Sequence, residues 1–177
     1  MTTTIDQATR MLREAQERIH DADLLSQNIQ RRSDSNAILR VLGFEILLKC
    51  ALLLAESTPA RSHAYKDLWD DLPPDVQEVI LSVARERMPG HADLSDLPKL
   101  LNSYEHVFKK ARYYYEFYEN YSLREQKELG EFWEQLGAPI DEAEVRYYPN
   151  ELTSLIYGLA HFIEGKLALH QLDDSGS

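Results

Sequence analysis

Apolar residues recur along this chain at intervals of three and four, the spacing of helices that bury one face. Ile5, Ala8, Met11, Leu12, Ala15, Ile19 and Ala22 predict a helix over 5–27, with Arg10, Arg13, Glu14, Glu17 and Arg18 turned outward. Thr4 and Gln7 have the spacing of a capping box at its start. A polar joint over 30–36 follows, in which Ser33 or Asp34 is expected to cap the next helix. The stretch 35–56 is apolar nearly all round, as expected of a central helix covered on several sides. Gly43 in its middle costs about 1 kcal/mol of helix propensity, and close packing by a neighbouring helix is the simplest compensation. Pro59 ends the segment.

A short helix is expected over 63–72, stopped by Pro73-Pro74. Pro74 suits the first turn of the next, which runs to Met88 with Val76, Val79, Ile80 and Val83 inward. Pro89-Gly90 breaks it. Ser95 or Asp96, with Pro98, starts a long helix to Tyr121, its inward stripe Leu101, Tyr104, Phe108, Ala111, Tyr115 and Tyr118. The pattern weakens over 122–149, where 123–136 is expected to be helical, Gly137-Ala138-Pro139 a turn, and the rest a loop over the bundle. Leu152, Leu155, Ile156, Leu159, Ile163 and Leu167 then predict a last helix over 150–172. Gly158 and Gly165 lie on one of its faces and would admit a partner helix. Residues 173–177 are expected to be a disordered tail. The fold class expected is therefore all-α, an antiparallel up-and-down bundle with additional short helices, in one domain over 1–172.

Composition narrows the function classes. With 177 residues, 44% apolar and 28% charged, the chain is long enough for one continuous core and too apolar to be disordered. A formal charge of −11 disfavours broad nucleic-acid binding, without excluding a local basic patch. The single cysteine, Cys50, excludes an internal disulfide and reads as a buried thiol among apolar neighbours. No basic segment followed by an apolar one stands at the start, so no signal peptide is expected and the location reads as cytoplasmic. Arg40, Glu45 and Lys49 interrupt the longest apolar run, making it a core helix rather than a membrane span.

Those interrupting charges are the informative ones. Glu45 and Lys49, four apart, share a face of the central helix, and Arg112 and Glu116 repeat the relation on the aromatic-rich helix. Burial without a partner would be costly. Either the two pairs meet across one polar cleft, or they are ordinary intrahelical pairs reaching water. His63 either caps its helix or faces the Glu45–Lys49 cleft. In the run 111–118, Tyr115 and Tyr118 follow the inward stripe while Tyr113, Tyr114 and Phe117 flank it, suited to packing, to stacking on a base or to a dimer interface. His20, His106, His161 and His170 form no metal pattern, and no Gly-rich phosphate loop, nucleophile elbow or zinc-protease motif is present. No metal or cofactor is expected.

Three pieces together, Phe44-Glu45-Ile46-Leu47-Leu48-Lys49, His63-Ala64-Tyr65-Lys66-Asp67-Leu68 and the run from Phe108 to Glu116, resemble a bacterial branch of the HEPN-like helical domains. The resemblance implies a helical bundle that commonly forms homodimers. It also implies either a metal-independent ribonuclease, often in toxin or phage-defence systems, or a non-catalytic ligand-binding or accessory module. The ribonuclease signature is an Arg followed by His after four to six residues. Arg85 to His91 and Arg13 to His20 match it formally, but Glu follows each Arg where a polar Asn, Asp or His is usual, and Pro89-Gly90 interrupts the first.

The expectation is accordingly a non-catalytic module binding a small anionic or nucleotide-like ligand, or a protein partner, through Glu45, Lys49, His63, Arg112, Tyr115 and Glu116. One alternative is a dimeric ribonuclease or toxin using Arg85 and His91, with RNA as substrate. Another is an assembly subunit that uses the Gly158–Gly165 face and the surplus tyrosines.

Overall fold

A computed structural model describes residues 3–27, 35–56 and 60–175, with the side chains of 173–175 left aside. Its regular structure is helical, with no strand among the described residues. The helices are α1 (Thr4–Ser26), α2 (Ser35–Glu56), α3 (Tyr65–Asp70), α4 (Pro74–Arg87), α5 (Leu97–Lys110), α6 (Leu123–Gln135) and α7 (Pro149–Ser175). Two 3-10 segments, Ala111–Tyr118 and Ile140–Glu142, lie on either side of α6.

Central α2 is the helix that the pattern marked. It buries Val41, Phe44, Leu47, Leu48, Cys50, Ala51, Leu52 and Leu53, and packs against α1 and α7, with α3 and α5 also resting on it. The Phe44 ring meets Tyr65 and Tyr104 edge-on at centroid distances of 5.8 Å. Both phenols bury their hydroxyls with a partner, Tyr65 donating to the Val41 carbonyl and Tyr104 to that of Tyr148, each at 3.0 Å. Gly43 is close-packed against α1, where an added Cβ would stand 2.9 Å from Ile19 Cγ1 and 3.2 Å from the Ala15 carbonyl. Cys50 is fully buried, its thiol directed at the Ala8 carbonyl, and burial pushes its pKa up to about 12. The thiolate is the reactive form. A thiol reagent should therefore leave the native chain unmodified at neutral pH and label one site on unfolding, and rapid labelling of the native chain would contradict the burial.

Several boundaries differ from those the pattern predicts. Thr3, not Thr4, caps α1, its hydroxyl accepting from the Asp6 amide while the Asp6 carboxylate accepts from Thr3. Short, charged Asp6 serves the reciprocal bond in place of Gln7, and it also suits the positive end of the helix. The expected caps Ser33 and Asp34, and Pro59, lie outside the described residues. His63 precedes α3 rather than lying inside it. Along α4 the buried stripe is Val76, Ile80 and Ala84, while Val79 is 47% exposed. The last helix continues through Ser175, past the expected end at Leu172, and Gly176 and Ser177 lie outside the described residues.

The larger departure is in the aromatic run. Helix α5 ends at Lys110, having buried Leu100, Leu101, Tyr104 and Val107, and the chain tightens into a 3-10 segment with Tyr113 at φ −126°, ψ 45°. That kink breaks the helical path between Arg112 and Glu116, whereas beyond it Tyr114 and Tyr118, four apart, still meet with their hydroxyls 3.2 Å from each other. Tyr115 leaves the expected inward stripe and is 69% exposed. The segment after α6 does lie over the bundle, with Val145, Tyr147 and Tyr148 packed on the core.

Gly158 approaches α4, not a second subunit: an added Cβ would stand 2.3 Å from the Ile80 carbonyl oxygen. Nothing lies within 4 Å of the corresponding point at Gly165. The two glycines therefore form no common seam. No helix among the described residues is long and apolar enough to cross a membrane.

Candidate functional site

Glu45 is the one charged side chain buried in the core among the described residues, at 4% exposure. Helix α2 sets it one turn from Lys49, whose Nζ lies 2.8 Å from Glu45 Oε1. The same oxygen accepts from His63 Nδ1 at 2.8 Å, brought in by the extended chain before α3. Lys49 Nζ and His63 Nδ1 are 3.3 Å apart, the spacing of two donors converging on one oxygen. With Nδ1 donating, the neutral ring keeps Nε2 as its acceptor. The His63 side chain is 70% exposed and that of Lys49 18%. The carboxylate is thus buried, Lys49 is mostly covered, and His63 reaches the surface.

The second carboxylate oxygen, Glu45 Oε2, is buried with no hydrogen-bond partner among the described residues. Tyr65 stands beside Glu45, but its single proton goes to the Val41 carbonyl. The Tyr65 pKa is raised, chiefly by burial and next by the Glu45 charge; Glu105 adds to the rise and the Arg112 guanidinium opposes it. Arg112 therefore acts on the same phenol as Glu45, from the α5 side. Glu105 Oε2 accepts from the Tyr65 amide at 3.2 Å, and Glu105 Oε1 pairs with Lys109.

Of the six ligand-site residues expected from the pattern, Glu45, Lys49 and His63 form one bonded cluster, whereas Arg112 contacts none of them among the described residues and is linked to Glu45 only in that both charges act on Tyr65. The Arg112–Glu116 couple does not form, because the kink at Tyr113 lies between the two. Arg112 instead lies over the Phe108 ring at 4.6 Å and that of Tyr113 at 5.7 Å. No carboxylate pairs with it among the described residues. Tyr115 and Glu116 are exposed, Tyr115 resting edge-on to Tyr113 at 6.5 Å. Tyr65 and Glu105 are additions to the expected set. The Glu105–Lys109 spacing is visible in the sequence, whereas the role of Tyr65 depends on α3 docking against α2 and α5.

Arg85 and His91 are both exposed and straddle the end of α4, with Gly90 between them at φ +74°. Arg85 reaches Glu78 at 3.5 Å, while the His91 carbonyl accepts from Asn150. No described contact joins the two. Arg13 and His20 are exposed on α1. No group of three potential metal-ligating side chains occurs among the described residues.

An open groove of about 720 Å³ lies elsewhere, between α5 and the 141–146 segment, lined by Lys99, Asn102, Ser103, His106, Asp141 and Arg146. Its central charges are already matched. Asp141 accepts from the Tyr148 hydroxyl at 2.9 Å and pairs with Lys99 at 3.2 Å, which together hold its carboxyl below the usual range. The cluster around Glu45 differs in being built on a buried carboxylate. No family model, curated protein or solved structure matches this chain.

Proposed function

We propose that this chain is a non-catalytic helical module, an up-and-down bundle of the HEPN-like type, that binds a small anionic or nucleotide-like ligand at the surface above Glu45. The observation that carries this reading is the asymmetry of the cluster. One buried carboxylate oxygen holds an ammonium and an imidazole in place, while the Arg112 guanidinium has no carboxylate partner among the described residues. Lys49 and Arg112 supply donors and positive charge on a chain whose net charge is −11, and His63 helps to fix the Glu45 oxygen beside Lys49. Charge-assisted hydrogen bonds of this kind favour phosphate or carboxylate. The exposed Tyr113 and Tyr115 rings give a neighbouring aromatic surface suited to a base.

The test is calorimetric titration of the full chain with inorganic phosphate and with nucleoside mono-, di- and triphosphates. At least one should bind, and Arg112→Ala should weaken it at least about tenfold, the loss expected for one charge-assisted contact. The variant should melt within a few degrees of the wild type, since Arg112 lies at the surface. Absence of binding by every probe, or global unfolding of Arg112→Ala, would remove the reading.

A further inference from the structure

Among the described residues, helix α6 is the one long helix with no substantial packing against another element, and none of its residues is buried. It is well formed locally. Ser122 and Glu125 close a capping box, and Arg124–Glu128 and Lys127–Glu131 pair along it. Even so, thirteen residues are too few for a stable isolated helix in water, where most helical stability comes from a packed apolar face. That face exists and is open to solvent. Leu129, Phe132, Trp133 and Leu136, at i, i+3, i+4 and i+7, are 43%, 59%, 36% and 52% exposed, and Ile140 beyond the helix end is 42% exposed.

We propose that α6 is the self-association element of this protein, pairing antiparallel with α6 of a second copy about a two-fold axis between Phe132 and Trp133. The spacing of the stripe carries the choice of occupant. Leu129, Phe132, Trp133 and Leu136 read the same in both directions: a central aromatic pair, one leucine three residues out on either side. Antiparallel pairing about that centre sets Leu129 against Leu136 and Phe132 against Trp133, then repeats the set. A two-fold interface requires this self-complementarity.

Area agrees. At about 150–250 Å² for a large side chain, the exposed fractions leave on the order of 500 Å² on this face. Two copies together reach about 1,000 Å², the size at which a specific interface becomes stable. The ionic pairs of α6 are centred on the opposite side of the helix, so the seam itself is free of like-charge repulsion. A membrane surface suits the helix poorly. Arg124 and Lys127 face four glutamates, Glu125, Glu128, Glu131 and Glu134, whereas surface-lying helices carry a basic polar face.

The experiment is sedimentation velocity on the full chain across a concentration series, with Trp133 accessibility followed by acrylamide quenching. The wild type should be a concentration-dependent dimer in which quenching falls as the dimer forms; Trp69, the other tryptophan, is buried. Phe132→Glu and, separately, Leu136→Glu should each raise the dissociation constant at least about 30-fold, as central interface residues do. Their melting should otherwise reflect an intact core. Glu131→Lys, on the outer side, should leave the dimer unchanged. A wild type monomeric at high micromolar concentration would overturn the proposal, as would a dimer indifferent to both stripe substitutions or one equally lost in Glu131→Lys.

Discussion

Gly158→Ala should destabilise the chain by about 3 kcal/mol, the upper part of the range for an overpacked core. The methyl would stand 2.3 Å from the Ile80 carbonyl oxygen and 3.2 Å from its carbonyl carbon. Both are backbone atoms of α4, so no rotamer change relieves the contact, and α4 must move away from α7. That motion loosens the packing of Ile80 and Leu159, both fully buried. The opposing term is known: alanine is favoured over glycine within a helix by about 1 kcal/mol. Gly165→Ala isolates that term, because nothing lies within 4 Å of its added Cβ and the residue is exposed. It should stabilise by about 0.5–1 kcal/mol. Two identical substitutions on one helix should thus shift the urea midpoint in opposite directions. For a domain of this size the Gly158 change corresponds to a fall in Tm of roughly 6–12 °C. A Gly158→Ala chain as stable as the wild type would mean that α4 and α7 do not approach this closely.

The contrast between these glycines shows what a pattern of residues carries. Helical periodicity located α1, α2, α4 and α7 closely, because each buries a stripe that must recur every three or four positions. Gly43 announced a close approach, since a mid-helix glycine in an apolar segment has few other uses. Which helix approaches is tertiary information, and for Gly158 the neighbour is α4 rather than another subunit. The aromatic run shows the second limit. Tyr113, Tyr114, Tyr115 and Tyr118 keep a helical spacing on paper, yet the chain tightens to 3-10 at Ala111. A four-residue spacing identifies a pair only where the helical path between the two is unbroken. On α2, where that holds, Glu45 and Lys49 are bonded; across the kink at Tyr113 Arg112 and Glu116 are not. Exposure was the least legible property. The sequence pattern marks 123–136 only as helical, and it takes the fold to show that no other described element covers its apolar side chains.

Glu45→Ala should lower stability by about 3 kcal/mol, at the lower end of the cost of stripping one partner from a buried ion pair. The substitution removes the acceptor that Lys49 and His63 share. Exposure sets the magnitude. His63 rehydrates readily at 70% side-chain exposure, whereas Lys49 at 18% stays largely beneath the surface and keeps an uncompensated charge. A loss below about 1 kcal/mol would instead class the pair with solvated surface ion pairs. The imidazole gives an independent reading. Its Nδ1 proton, held by Glu45 in the wild type, should shift toward the ordinary Nε2 tautomer in Glu45→Ala, visible in nitrogen chemical shifts of the ring.

The double variant Glu45→Met, Lys49→Met then separates structure from function. Two thioether side chains of similar volume fill the same space without a charge to desolvate, and such replacements of buried pairs are often neutral or stabilising. Stability should therefore return to within about 1 kcal/mol of the wild type. Anion binding should not return, because the ammonium is gone. If the double variant remains as unstable as Glu45→Ala, the ionic pair is a packing requirement of α2. If it is stable but has lost the ligand, the core never needed Glu45 and Lys49, and their charges stand in it because of what they hold at the surface.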